Sequence, residues 1–141
     1  MNAKVSELFN ILNSIENTYR DAAIKLDVTG TEMNILYVMC CEGNGCNQSC
    51  LYKKTGITKS TINSALHKMQ ERGFIELRSG DKRNVRVFLT EKGEALCERT
   101  AKRIIDIELE IFDGWSERDL DRFLELNRKY QNDLKEKIDT L

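Results

Sequence analysis

From Thr58 to Lys68 the chain presents small hydroxyls, an amide, an imidazole and two cations at helical spacing: Thr58, Lys59, Ser60, Thr61, Asn63, Ser64, His67 and Lys68. No acid interrupts them before Glu71. Side chains of these types can reach base edges and phosphate oxygens. In a helix laid into a DNA groove the N-terminal half makes most base contacts, which favours Lys59, Ser60, Thr61, Asn63 and Ser64. Arg78 and the turn Ser79-Gly80-Asp81-Lys82-Arg83-Asn84 add cations further along. The competing reading is an ordinary solvated amphipathic helix followed by a surface turn.

A second group able to do chemistry is made of thiols. Cys40, Cys41, Cys46 and Cys50 lie within eleven residues. If Asn47 caps a helix, Cys50 falls in its first turn, where the helix dipole favours a thiolate. A redox-sensing Cys50 with Cys46 as resolving partner follows from that placement. A thiolate metal site lacks a CxxC pair, and adjacent cysteines diverge on a helix. The simplest reading is that these are small buried hydrophobes, and Cys97 is expected in the core. His67, the only histidine, would make a nucleophile pair with Cys50 only if an orienting group and an oxyanion site accompanied it. Neither is legible, and there is no phosphate-binding loop, HExxH or dinucleotide fingerprint. No enzyme activity, cofactor or metal is expected.

The elements that must position these groups are readable from periodicity. Residues 4–26 carry Val5, Leu8, Phe9, Leu12, Ile15 and Tyr19 on one helix face. Thr29 with Glu32 fits a capping box opening a second helix with Ile35, Leu36, Met39 and Cys40 on its apolar stripe. Gly43-Asn44-Gly45 ends it. Asn47 can cap a short third helix, broken at Gly56. Thr58 can cap a fourth, from about Lys59 to Arg72, that buries Ile62, Ala65, Leu66 and Met69, with Gly73 as its stop. Phe74, Ile75 and Leu77 suit one strand, and Val85, Val87 and Leu89 alternate along another. Thr90 caps a long fifth helix, about Glu91 to Asp113, and Ser116 with Asp119 starts a last one. Helix-turn-helix followed by a basic hairpin is a winged-helix layout, with a helix for the major groove and a wing for the backbone or minor groove.

Charge supports a polyanion partner through its distribution. The chain carries a net −1 in 141 residues. Between residues 51 and 92, however, ten basic residues face four acidic ones, a local excess of six positive charges. The flanks are acidic by difference. Hydrophobic residues at 40% suffice for a globular core, and 32% charged residues suit long solvated helices. Proline is absent, which permits unbroken helices. No apolar run approaches a membrane span, and the N-terminus lacks a secretory pattern. A cytoplasmic protein with mostly reduced thiols and no membrane partner is expected.

Several of these pieces together resemble the MarR family of bacterial winged-helix regulators. They are Val28-Thr29 at the start of the second helix, Thr58-Lys59-Ser60-Thr61-Ile62, Arg72-Gly73-Phe74-Ile75, Asp81-Lys82-Arg83 and Leu89-Thr90-Glu91-Lys92-Gly93. The match spans about residues 28–96, and the flanking helices agree in pattern only. The resemblance implies a homodimer in which the first, fifth and sixth helices interlock and each subunit offers one recognition helix and one wing. It implies that Asp81 braces the wing while Arg83 reaches a minor groove, where narrow A·T-rich DNA attracts arginine. The plain alternative for Asp81 and Arg83 is a weak surface ion pair. It also implies a small phenolic or lipophilic effector, with Tyr19, Tyr37, Phe112 and Trp115 as candidate lining residues or, more simply, dimer core. Three positions depart from the family. The wing between Ile75 and Asp81 is about two residues shorter, Tyr52 replaces a small residue, and Cys50 replaces an acid.

The expected fold is mainly α with a small β-hairpin. It is a single domain over 1–141, with a winged-helix module at about 28–92 and dimerisation helices at about 1–27 and 93–141. The expected function is sequence-specific regulation of transcription, as a repressor. A homodimer would bind a pseudo-palindromic double-stranded operator and respond to a small molecule or to thiol chemistry. The alternative is a winged helix used as a protein-interaction module without specific DNA binding.

Overall fold

The computed structural model describes residues 2–80 and 84–141. It divides into two compact units, Met1–Ile105 and Asp106–Leu141. Most of the first unit is built around two helices stopped and started by local chemistry. Helix α1 (Ala3–Lys25) is capped by Asn2, whose side chain accepts from the Lys4 amide. Helix α2 (Gly30–Glu42) opens with the full capping box: Thr29 Oγ1 accepts from Glu32 N at 3.1 Å, and Glu32 returns a carboxylate oxygen to Thr29 N at 3.4 Å. Gly43, at φ 86°, ends it in a conformation that side chains with a Cβ rarely adopt.

Strand β1 (Cys46–Asn47) then leads into α3 (Gln48–Thr55). The expected hairpin is therefore a three-stranded antiparallel sheet. β2 (Ile75–Ser79) and β3 (Val85–Leu89) pair as expected, and β1 joins the other edge of β3 through Cys46 opposite Val87 and Asn47 opposite Arg86. Its anchor is not periodic in sequence. Gly45 N donates to Val87 O, Asn44 Oδ1 accepts from Leu89 N at 2.7 Å, and Arg86 donates to Gly45 O at 3.0 Å. Asn47 occupies the N-cap position of α3, but its side chain makes no capping bond, and its Oδ1 is buried without a partner.

Helix α4 (Lys59–Glu71) is capped by Thr58 and stops at Gly73, which takes φ 80°. Its fully buried Ile62, Leu66 and Met69 pack with Ile35, Leu36 and Met39 of α2 and Leu51 of α3 in one core. This packing fixes which face of α4 turns outward. Ile75 and Val87 bring the sheet into the same core.

The expected long fifth helix is two: α5 (Glu91–Arg99) and α6 (Ala101–Asp113). They part at Thr100, whose backbone leaves the helical region at φ −126°, ψ −94°. Thr100 is fully buried, and its hydroxyl donates to Leu96 O at 2.6 Å. A threonine bonding back to the preceding turn competes with the helix and bends it. The second unit holds α7 (Glu117–Ile138), capped by Ser116, which accepts from Asp119 N at 3.1 Å. In that unit Trp115 meets Phe112 and Phe123 edge-to-face, with ring centres 5.1 Å and 5.2 Å away. No helix among the described residues is long and apolar enough to cross a membrane.

Candidate nucleic-acid interface

The turn between α3 and α4 is set by Gly56, at φ 69° in the left-handed region, and by Thr55, whose hydroxyl accepts from Ile57 N. Thr58 then starts α4, and its Oγ1 lies 2.9 Å from the Thr61 hydroxyl. Thr61 is thus engaged in the cap itself. Lys59, Ser60, Ser64, His67 and Lys68 are exposed on the outward face. An open groove of about 400 Å³ runs beside this face, between Thr29, Thr31 and Glu32 of the α2 start and Ser60, Ser64 and Lys68 of α4.

Asn63 is engaged within the protein. It is half-buried, and its Oδ1 accepts from the Tyr52 hydroxyl at 2.7 Å and from Gln48 Nε2. Its carbonyl oxygen is thus occupied by two donors from α3 that a reading of α4 alone does not include. Gln48 was missed altogether. The signal available for Tyr52 was its size where the family has a small residue.

Several cations of the basic island hold the fold. Arg86 donates to Gly45 O, and Lys92 donates to Arg72 O at 2.7 Å. Arg72 pairs with the buried Glu32 at 3.4 Å, and Lys54 with Glu42 at 3.2 Å. Arg78 is exposed, but its guanidinium lies 4.0 Å from the Phe88 ring and pairs with Glu76 at 3.0 Å. It is therefore held at the root of the wing. Asp81, Lys82 and Arg83 lie outside the described residues. Lys59 and Lys68 remain as the lysines of the α4 face.

All five cysteines are free. Cys97 is buried, as expected of a core residue. Burial pushes its thiol well above the ordinary range, and the neighbouring Cys40 adds to the shift. Burial also raises Cys40, against a thiol hydrogen bond to Cys97 that works the other way. Cys46 is raised by burial and by Cys50 beside it. A raised thiol carries less thiolate at neutral pH and attacks oxidants or disulfides more slowly. Cys50 packs partly against the core in the first turn of α3, while His67 is exposed on α4. Among the described residues no group of three His, Cys, Asp or Glu could hold a metal ion.

Residues 26–83 match the model of the MarR family. A MarR family regulator from Neisseria meningitidis shares the fold with a TM-score of 0.84 at 21% identity, over 98% of this chain and 97% of that one. MepR of S. aureus, solved as a complex with DNA, aligns with a TM-score of 0.73 at 17% identity, over 92% and 95%. BpsR of Bordetella bronchiseptica, whose DNA binding is regulated by 6-hydroxynicotinic acid, aligns with a TM-score of 0.66 at 20% identity, over 89% and 98%. No curated protein matches the sequence. The matched segment takes in α2, β1, α3, α4 and β2 and stops before β3, and along nearly the whole chain the fold is that of solved MarR family regulators.

Proposed function

We propose that the chain is a sequence-specific DNA-binding transcriptional repressor that acts as a homodimer in the cytoplasm. The observation that carries this is the outward face of α4. It is seated on the core by Ile62, Leu66 and Met69, and it presents Lys59, Ser60, Ser64, His67 and Lys68 with no acid among them. Two such helices, one per subunit, enter successive major grooves of a pseudo-palindromic operator. The wing lies alongside, with Asp81 bracing it and Arg83 in the minor groove. On this reading residues 28–92 form the DNA-binding module. The flanking helices dimerise, and a small-molecule effector shifts the spacing of the two recognition helices.

The apolar surface supports the dimer. On α1, Val5, Phe9, Leu12 and Ile15 are exposed, Phe9 by 66%. On α7, Phe123, Leu124, Tyr130, Leu134 and Ile138 are exposed, and none of its residues is buried. Stripes of this size are costly in water and mark a covered surface. A second copy of the chain is the occupant that the symmetry of an inverted-repeat operator requires. Sedimentation equilibrium should give a dimer for the wild type, and Leu12→Glu with Leu134→Glu should give monomers. A monomeric wild type at micromolar concentration would remove the dimer from the proposal.

Selection of bound duplexes from a random library tests the function itself. The expected product is an inverted repeat whose half-sites lie about 10 bp apart, centre to centre. Recovered fragments with no shared motif would instead favour a protein-interaction module.

A further inference from the structure

Gln48 and Tyr52 stand four residues apart on α3, so they lie on the same helix face, and both donate to one atom, Oδ1 of Asn63 on α4. An amide oxygen has two lone pairs, and both are used. Bidentate reading of adenine by asparagine needs that oxygen as acceptor for the base amino group, together with the amide nitrogen as donor. Asn63 can make that pair only by giving up both bonds to α3. The same tyrosine reaches a second residue of α4. Lys59, one turn before Asn63 on the same face, places its ammonium 5.7 Å from the centre of the Tyr52 ring. Tyr52 therefore touches α4 twice, by its hydroxyl at Asn63 and by its ring at Lys59.

We propose that Gln48, Tyr52 and Asn63 form a polar clamp between the two helices of the helix-turn-helix, in which Asn63 is a positioning residue and Tyr52 holds Lys59 for a phosphate. This rests on the DNA-binding reading and deepens it. Base discrimination is carried by the exposed side chains Ser60, Ser64, His67 and Lys68. The clamp fixes the angle at which α4 leaves the turn at Gly56. The apolar core alone permits small rotations of α4 about Ile62 and Leu66, because dispersion contacts are non-directional. Two hydrogen bonds converging on one atom do not permit them. Holding the helix before DNA arrives removes an ordering cost from binding.

The test uses the full chain with the selected operator, a set of operators each changed at one base pair, and random duplex. The variants are Tyr52→Phe, Asn63→Ala and both together. Tyr52→Phe deletes one hydroxyl and keeps the ring beneath Lys59. It should weaken binding to every operator by a similar factor, about fivefold, with the order of preference among bases unchanged. Asn63→Ala should do the same, and the double variant should be no weaker than Asn63→Ala alone. Tyr52→Ala, which also removes the ring, should flatten the salt dependence of log K by about 1.8, one phosphate contact in each subunit of the dimer, whereas Tyr52→Phe should not.

Loss of discrimination at a single base-pair position in Asn63→Ala would make Asn63 a base reader and overturn the clamp. So would unchanged affinity in Tyr52→Phe. If the wild type binds no duplex, the DNA-binding reading fails and the clamp is decided separately by urea denaturation. Non-additive midpoints for Tyr52→Phe and Asn63→Ala would retain it, and additive ones would remove it.

Discussion

Gly93→Ala is expected to lower the thermal midpoint by roughly 10 °C or more, although alanine is the better helix former. Gly93 is buried in the first turn of α5, where that turn is seated on the chain entering β2. A Cβ added there would lie 1.9 Å from the carbonyl oxygen of Phe74 and 2.9 Å from its carbonyl carbon, with Leu89 Cδ2 at 3.1 Å. The first two are backbone atoms and cannot rotate aside. Phe74 O is also held in place, because it accepts from Thr90 N at 3.0 Å. Thr90 in turn donates its hydroxyl to Gly73 O at 2.5 Å and accepts from Gly93 N at 3.1 Å. Relief requires α5 to lift away from β2, which opens the packing of Leu96 and Phe74. Overpacking of this kind costs on the order of 3 kcal/mol, against a gain of about 1 kcal/mol from helix propensity. Circular dichroism on heating reads the outcome, and an unchanged or raised midpoint would show that the two elements are not in contact as described.

The second large effect is on binding. Lys59→Glu with Lys68→Glu reverses both lysines of the α4 face without touching the core, since both side chains are exposed. Each lysine that neutralises a phosphate contributes through counterion release, and each glutamate adds repulsion against the same backbone. In a dimer the change is made twice. Affinity for duplex DNA should fall by at least about a hundredfold at low salt, while the thermal midpoint stays within a few degrees, as for surface changes. Retained affinity in the double variant would mean that some other surface meets the DNA. Lys54 is the matched control. It is exposed and basic but already pairs with Glu42, so Lys54→Ala should have a much smaller effect.

What the sequence made legible was chemistry local to a few residues. The Thr29–Glu32 box, the Thr58 and Ser116 caps and the stops at Gly43, Gly56 and Gly73 each depend on neighbours within about one turn, and each is present. The outward face of α4 followed from the spacing of Ile62, Leu66 and Met69. What escaped depended on partners far along the chain. Strand β1 has two residues and no alternation, and exists because β3 offers it an edge some forty residues later. The break at Thr100 needs its burial as well as its hydroxyl. Nothing on α4 indicates that Gln48 and Tyr52 converge on Asn63. Cys50 does lie in the first turn of α3 as placed, but Asn47, bound into β1, gives that turn no side-chain cap. The wing contacts of Lys82 and Arg83 remain an expectation of the sequence and its family resemblance.

On the proposed reading the basic module binds duplex DNA through phosphate neutralisation, with α4 reading bases. Fluorescence anisotropy of a labelled operator, titrated with the full chain across a series of salt concentrations, tests it most directly. Log K should fall linearly with log salt, with a slope steeper than about −4 for a dimer neutralising several phosphates. Random duplex should bind more weakly at every salt concentration. Binding that is absent, or equally strong at low and high salt, would contradict that reading.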